Sequence, residues 1–124
     1  MKKLTIACSA FLIAACGGPS NKDIEELQNT ALFPVQMIAK VAPDKTGCPV
    51  DAEGFEKLTL DNKKVCLASF AEIKNVDIEN CVEKEKTVYF CAYTYEFVSE
   101  KYGVHEFEAK GVYEEMPEGW TIKR

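Results

Sequence analysis

Six cysteines, one histidine and five tyrosines carry most of the chemistry that these 124 residues offer. His105 is the one candidate general base, and it opens a strand-like run between Val104 and Glu106. Ser69 and Ser99 have no base beside them in sequence. Acid–base and nucleophilic catalysis both need a reactive group within hydrogen-bond reach of a positioned partner. No such pattern is visible, so the chain is not expected to be an enzyme. Glu106 and Glu108 share one strand face, and Glu79, Glu83 and Glu85 gather before a turn. Calcium takes about six to eight oxygens, usually from an acidic loop punctuated by glycine, and that loop is absent. Cys48, Cys66, Cys81 and Cys91 lie 18, 15 and 10 residues apart, which is not zinc-finger spacing. Neither a metal nor a cofactor is expected.

The tyrosines allow two readings. Tyr89, Tyr93 and Tyr95 alternate along one run, joined by Phe97, and Tyr113 follows on the next. Together they either line an aromatic pocket that takes a small ligand or fill a core, with hydroxyls reaching the rim for partners.

Lys2 and Lys3 precede an apolar run, Leu4 to Ala15. It suits the h-region of a signal peptide and is shorter than the roughly 20 residues of a spanning helix. Its end, Leu12-Ile13-Ala14-Ala15-Cys16, resembles the lipobox of bacterial lipoproteins: an aliphatic residue, two small residues, then a cysteine. The resemblance implies that Cys16 takes a diacylglycerol through its sulfur and that the chain is cut before it. Residues 1–15 are then a signal peptide, and the membrane is the first partner, reached through the N-terminal lipid. Two or three acyl chains anchor stably where one is marginal. Cys8 leaves too short an h-region before it to compete. Gly17, where an aspartate would favour inner-membrane retention, favours the outer membrane. The implied location is the cell envelope, on the periplasmic or surface face.

Cleavage leaves 109 of the 124 residues, the size of one domain. Losing two lysines moves the net charge from −5 to −7. An acidic domain disfavours nucleic acid as a partner. Four cysteines in an exported domain read as two disulfides, with three possible connectivities.

Residues 16–21, rich in glycine, read as a lipidated tether, and residues 22–124 as a single domain. Ser20 and Asp23 form a capping-box-like helix start. Ile24, Leu27, Ala31, Val35, Ile38 and Ala42 recur at helical spacing, predicting one apolar stripe against the domain. Pro34 predicts a kink or two shorter helices. Asp44 to Pro49 is loop, and Asp51 to Phe55 can hold a short turn or helix. From Val65 the period changes. Ser69 to Val82 reads as a long strand with a bulge near Ile73. Glu83 to Lys86 is a charged hairpin loop. Thr87 to Val98 is apolar on both faces and therefore central. Val104 to Tyr113 alternates as a half-buried strand, Met116 to Gly119 fits a type I turn, and Trp120 to Lys123 closes as a short strand.

The expected class is α+β: an N-terminal kinked helix packed on a three- to four-stranded antiparallel meander, with two disulfides. Helix, long strands and the closing Glu118-Gly119-Trp120-Thr121-Ile122 resemble small periplasmic lipoproteins of the cystatin-like or NTF2-like type. In that type the sheet curls around the helix and its concave face can form an aromatic pocket. A hairpin centred on Lys86 sets Cys81 opposite Cys91 and leaves Cys48 with Cys66, the favoured connectivity. Three functions follow. The first is a non-catalytic accessory or protein-binding module acting on an envelope protein. The second is a small-ligand-binding module using the tyrosine face. The third is a periplasmic inhibitor or immunity-type lipoprotein.

Overall fold

The computed structural model describes residues 17–123; residues 1–15, read above as a signal peptide, and Cys16, read as the lipidated residue, lie outside the described residues, as does Arg124. The first helix, α1 (Asn21–Val41), starts where its cap requires. The Ser20 hydroxyl accepts from the Asp23 amide at 3.1 Å, and the Ser20 amide donates back to the Asp23 carboxylate at 2.9 Å. This reciprocal pair satisfies two donors that the first turn would otherwise leave open. The helix continues through Pro34 as one element of 21 residues, so the expected division into two shorter helices does not occur.

A 3₁₀ turn (Pro43–Thr46) leads to α2 (Ala52–Glu56), capped by Asp51, and then to α3 (Leu60–Phe70), capped by Thr59. The four strands follow: β1 (Glu72–Glu85), β2 (Val88–Ser99), β3 (Gly103–Met116) and β4 (Gly119–Ile122). They pair antiparallel in the order β1-β2-β3-β4, a plain meander with α1 packed on the sheet. The α+β architecture and both disulfides stand as expected. Cys48 joins Cys66, and Cys81 joins Cys91 across the β1–β2 pair.

Three expectations need correction. Ser69 and Phe70 belong to α3, so the first strand begins at Glu72 rather than Ser69 and ends at Glu85. The bulge expected near Ile73 is one of three irregularities: the β1–β2 register shifts between Lys74 and Asp77, where Asn75 sits at φ 56°, and again between Ile78 and Asn80 and between Glu83 and Glu85. Asparagine tolerates that conformation better than most residues. The third correction concerns the run expected to be a flexible tether. Pro19 is buried, and a Cβ on Gly18 would stand only 3.3 Å from Cys81 Cβ and from the Tyr89 ring. Gly18 and Pro19 therefore pack with the domain, Gly18 against the 81–91 disulfide.

The core lies between α1, α3 and the inner sheet face. Ile24, Phe55, Leu67, Cys91 and Tyr113 are its most enclosed members. In the loop-closure model the 48–66 bridge contributes about 3 kcal/mol and ties the short α2 connector to α3.

Candidate functional site

Strand alternation puts Tyr89, Cys91, Tyr93, Tyr95 and Phe97 on the face of β2 that meets α1. Register sets Tyr113 of β3 directly beside Tyr89, and Phe107 beside Tyr95. The sequence therefore locates this aromatic cluster correctly, but the face is filled rather than hollow. Tyr113 is 0% exposed, and Tyr89, Tyr93 and Phe97 are buried with it, while Tyr95 is half-buried. The Tyr95 ring meets Phe97 edge-on at 5.4 Å and lies 6.0 Å from Phe107. The five candidate pocket residues are core.

Polar atoms in that core are matched. Gln28 reaches down from α1, its Nε2 donating to the Tyr93 hydroxyl at 3.3 Å and to the Tyr113 hydroxyl at 3.1 Å. The Tyr113 hydroxyl in turn donates to Tyr93 at 3.1 Å. Burial, reinforced by that bond, pushes the Tyr93 hydroxyl well above the usual phenol range. Burial also raises Tyr95; for Tyr89 it acts together with the carboxylates of Glu83 and Glu115. Gly111 makes room for this arrangement, since a Cβ there would lie 2.8 Å from the Tyr113 oxygen. The cluster is thus a neutral, hydrogen-bonded lock between helix and sheet.

His105 has a structural assignment too. Its Nε2 lies 2.8 Å from the Tyr102 carbonyl, and its ring tilts against Phe55 at 5.0 Å. Phe55 stacks on Tyr102 at 4.4 Å, and the Tyr102 hydroxyl donates to the Pro49 carbonyl. Burial first, and Asp51 second, raise the Tyr102 hydroxyl above its ordinary range. This second aromatic cluster fastens the α2 connector to the β2–β3 turn. The carboxylates Glu79, Glu83, Glu85, Glu106 and Glu108 are exposed. Among the described residues no group of three or more histidine, cysteine or carboxylate side chains is placed to hold a metal ion.

The surface feature that sequence reasoning missed lies on α1. Its sheet side carries amides rather than a continuous apolar stripe. Asn29 pairs with Ile73 like a neighbouring strand, donating to its carbonyl at 2.9 Å and accepting from its amide at 2.8 Å. Asn21 accepts from the Ile78 amide at 2.9 Å. Gln36 donates to the carbonyls of Ala68 and Ala71 at 3.1 and 2.7 Å. These bonds cover the outer edge of β1 and the end of α3, both of which would otherwise expose unpaired backbone. Because amides hold that side, the apolar residues of the helix's second half turn outward. Phe33 and Ile38 are each 60% exposed, Val41 78% and Met37 42%; Val35 is exposed as well. The predicted stripe is correct at Ile24 and Leu27 but fails at Ala31, Val35 and Ile38. Beside the stripe runs an open groove of about 710 Å³, lined by Phe33, Met37 and Lys40 of α1, Phe70 of α3, Val98 of β2 and Lys101 of the β2–β3 turn.

Comparison of the chain with protein-family models, with curated proteins and with solved structures returns no match.

Proposed function

We propose that this chain is a lipid-anchored lipoprotein of the cell envelope that serves as a non-catalytic, protein-binding accessory module. The observation that carries the binding part is the bare apolar face of α1 with its adjoining groove. Apolar patches of this kind on a soluble domain mark contacts with other macromolecules. Filling of the tyrosine face supports the same choice, because it leaves the small-ligand reading without its cavity. The anchoring part rests on Leu12 to Cys16 and on two disulfides, which persist in oxidising compartments. Gly17 supports the outer membrane as its destination.

An inhibitor or immunity role has one observation of its own. The β1–β2 hairpin presents Glu83, Lys84, Glu85 and Lys86, all exposed, at a two-residue turn suited to entering another protein's cleft.

Substitution of Cys16 by alanine tests the anchor. The native chain is expected to sediment with membranes and to incorporate labelled palmitate, and the Cys16→Ala chain to lose both. Retention of label by the variant contradicts the lipoprotein reading.

A further inference from the structure

We propose that the outward face of the second half of α1 docks a second copy of this chain, in a twofold antiparallel contact between the two α1 helices. The proposal rests on the protein-binding reading above and names the partner. Phe33, Pro34, Met37, Ile38 and Val41 are spaced by one, three or four residues and share one side of the helix, opposite the side whose amides hold the sheet. All five are exposed. On the order of 400 Å² of apolar side chain is left in water, within the size range of functional patches on monomers.

The order of residues along the helix argues for a copy of the same chain. A twofold contact must be self-complementary, so that a residue that meets another is met by it in return. An axis crossing α1 between residues 35 and 36 sets Phe33 against Ile38 and Pro34 against Met37. It also sets Thr30 against Val41. The start of the helix carries Lys22, Asp23, Glu25 and Glu26, a net −2, and its end with the following turn carries Lys40, Asp44 and Lys45, a net +1. An antiparallel mate therefore brings opposite charges together at both ends, and opposed helix dipoles add to that preference. A bilayer surface has no use for this symmetry. Its anionic headgroups would also be repelled by the acidic start of α1 and by the net charge of −7 that cleavage after residue 15 leaves. A stable dimer takes about 800 Å² from each partner. The apolar face supplies about half, and the neighbouring Glu26, Thr30 and Lys40 of the same helix, all exposed, extend it.

The test uses the full-length chain in intact cells, with a benzophenone amino acid placed at Phe33 and, as a control, at the exposed Lys110 of β3. Irradiation at position 33 is expected to give an adduct of twice the chain mass, with the crosslink mapped near Ile38 of the other copy. Position 110 is expected to give none. Ile38→Glu should lower the position-33 adduct about tenfold or more, since it buries two unpaired charges at the contact. Its melting curve must match that of the native chain; if it does not, Ile38→Ser replaces it. A position-33 adduct with a different protein, or between two copies through other segments, overturns the twofold contact and leaves the protein-binding reading standing. The absence of any protein adduct at position 33 overturns both.

Discussion

On the side of α1 that meets the sheet stand Asn21, Gln28, Asn29 and Gln36; on the side that meets water stand Phe33, Met37, Ile38 and Val41. The usual arrangement of an amphipathic helix is partly inverted. The buried amides do what apolar side chains cannot, since each is bonded to a backbone group or tyrosine hydroxyl that must have a partner. They fix where the helix lies along β1 and cover that strand's edge. The outward residues make no such bonds. Burial of the first set is therefore a requirement of the fold, whereas exposure of the second is a cost carried without structural return. That asymmetry is why the second set is read as a contact surface.

The comparison can be broken first in the tyrosine lock beneath the buried side. Tyr113→Ala removes a fully enclosed aromatic ring together with its bond to Gln28. It is expected to cost about 4 kcal/mol in urea denaturation. A cost under about 1 kcal/mol would mean that the face is hollow after all. Gly111→Ala acts on the same spot from the other direction, because its new methyl group would collide with the Tyr113 hydroxyl. A loss of about 1–3 kcal/mol is expected there.

Alkaline pH sharpens the same comparison. Tyr93 titrates above the ordinary phenol value of 10.0 in the folded chain, because it is buried and bonded to Tyr113. In the unfolded chain it loses its proton near that ordinary value. Above about pH 10 the unfolded state thus holds fewer protons than the native state, and stability falls as pH rises. Below about pH 9 this contribution is present in full. The urea midpoint of the native chain is expected to drop steeply between about pH 9 and pH 11. In Tyr93→Phe the drop should be shallower. An equal slope in both chains would remove Tyr93 from the lock.

Much of the meander was legible in the sequence because its strands alternate cleanly. Thr87 to Val98 and Val104 to Tyr113 locate β2 and the centre of β3, and Cys81 and Cys91 fall opposite each other once the hairpin turns at Lys86 and Thr87. Ser20 and Asp23 likewise mark the start of α1. Helix α3 escaped notice because its apolar residues do not share a face: Leu60 and Val65 are exposed while Cys66 and Leu67 are buried. Thr59 was the available clue, since its hydroxyl caps the helix by accepting from Asn62. The orientation of α1 escaped for a different reason. Apolar periodicity assumes that polar side chains face water, but Asn29 and Gln36 turn inward to backbone groups that need them and Gln28 to the buried hydroxyls of Tyr93 and Tyr113. Nothing local to α1 announces that need, since the partners lie 32 to 85 residues further along. The tyrosine cluster could be placed on one face by alternation, but whether that face was open or filled depended on Gln28 and on the helix above it.

The most direct test of this account is a pair of substitutions on opposite sides of α1, compared by urea denaturation of dilute chain. Asn29→Ala leaves the amide and carbonyl of Ile73 without their partner and is expected to cost about 2 kcal/mol. Ile38→Ser acts on a side chain already in water and is expected to change stability by no more than about 0.5 kcal/mol. The reverse result, with Ile38→Ser costly and Asn29→Ala silent, would place the apolar side of α1 against the sheet and contradict the account.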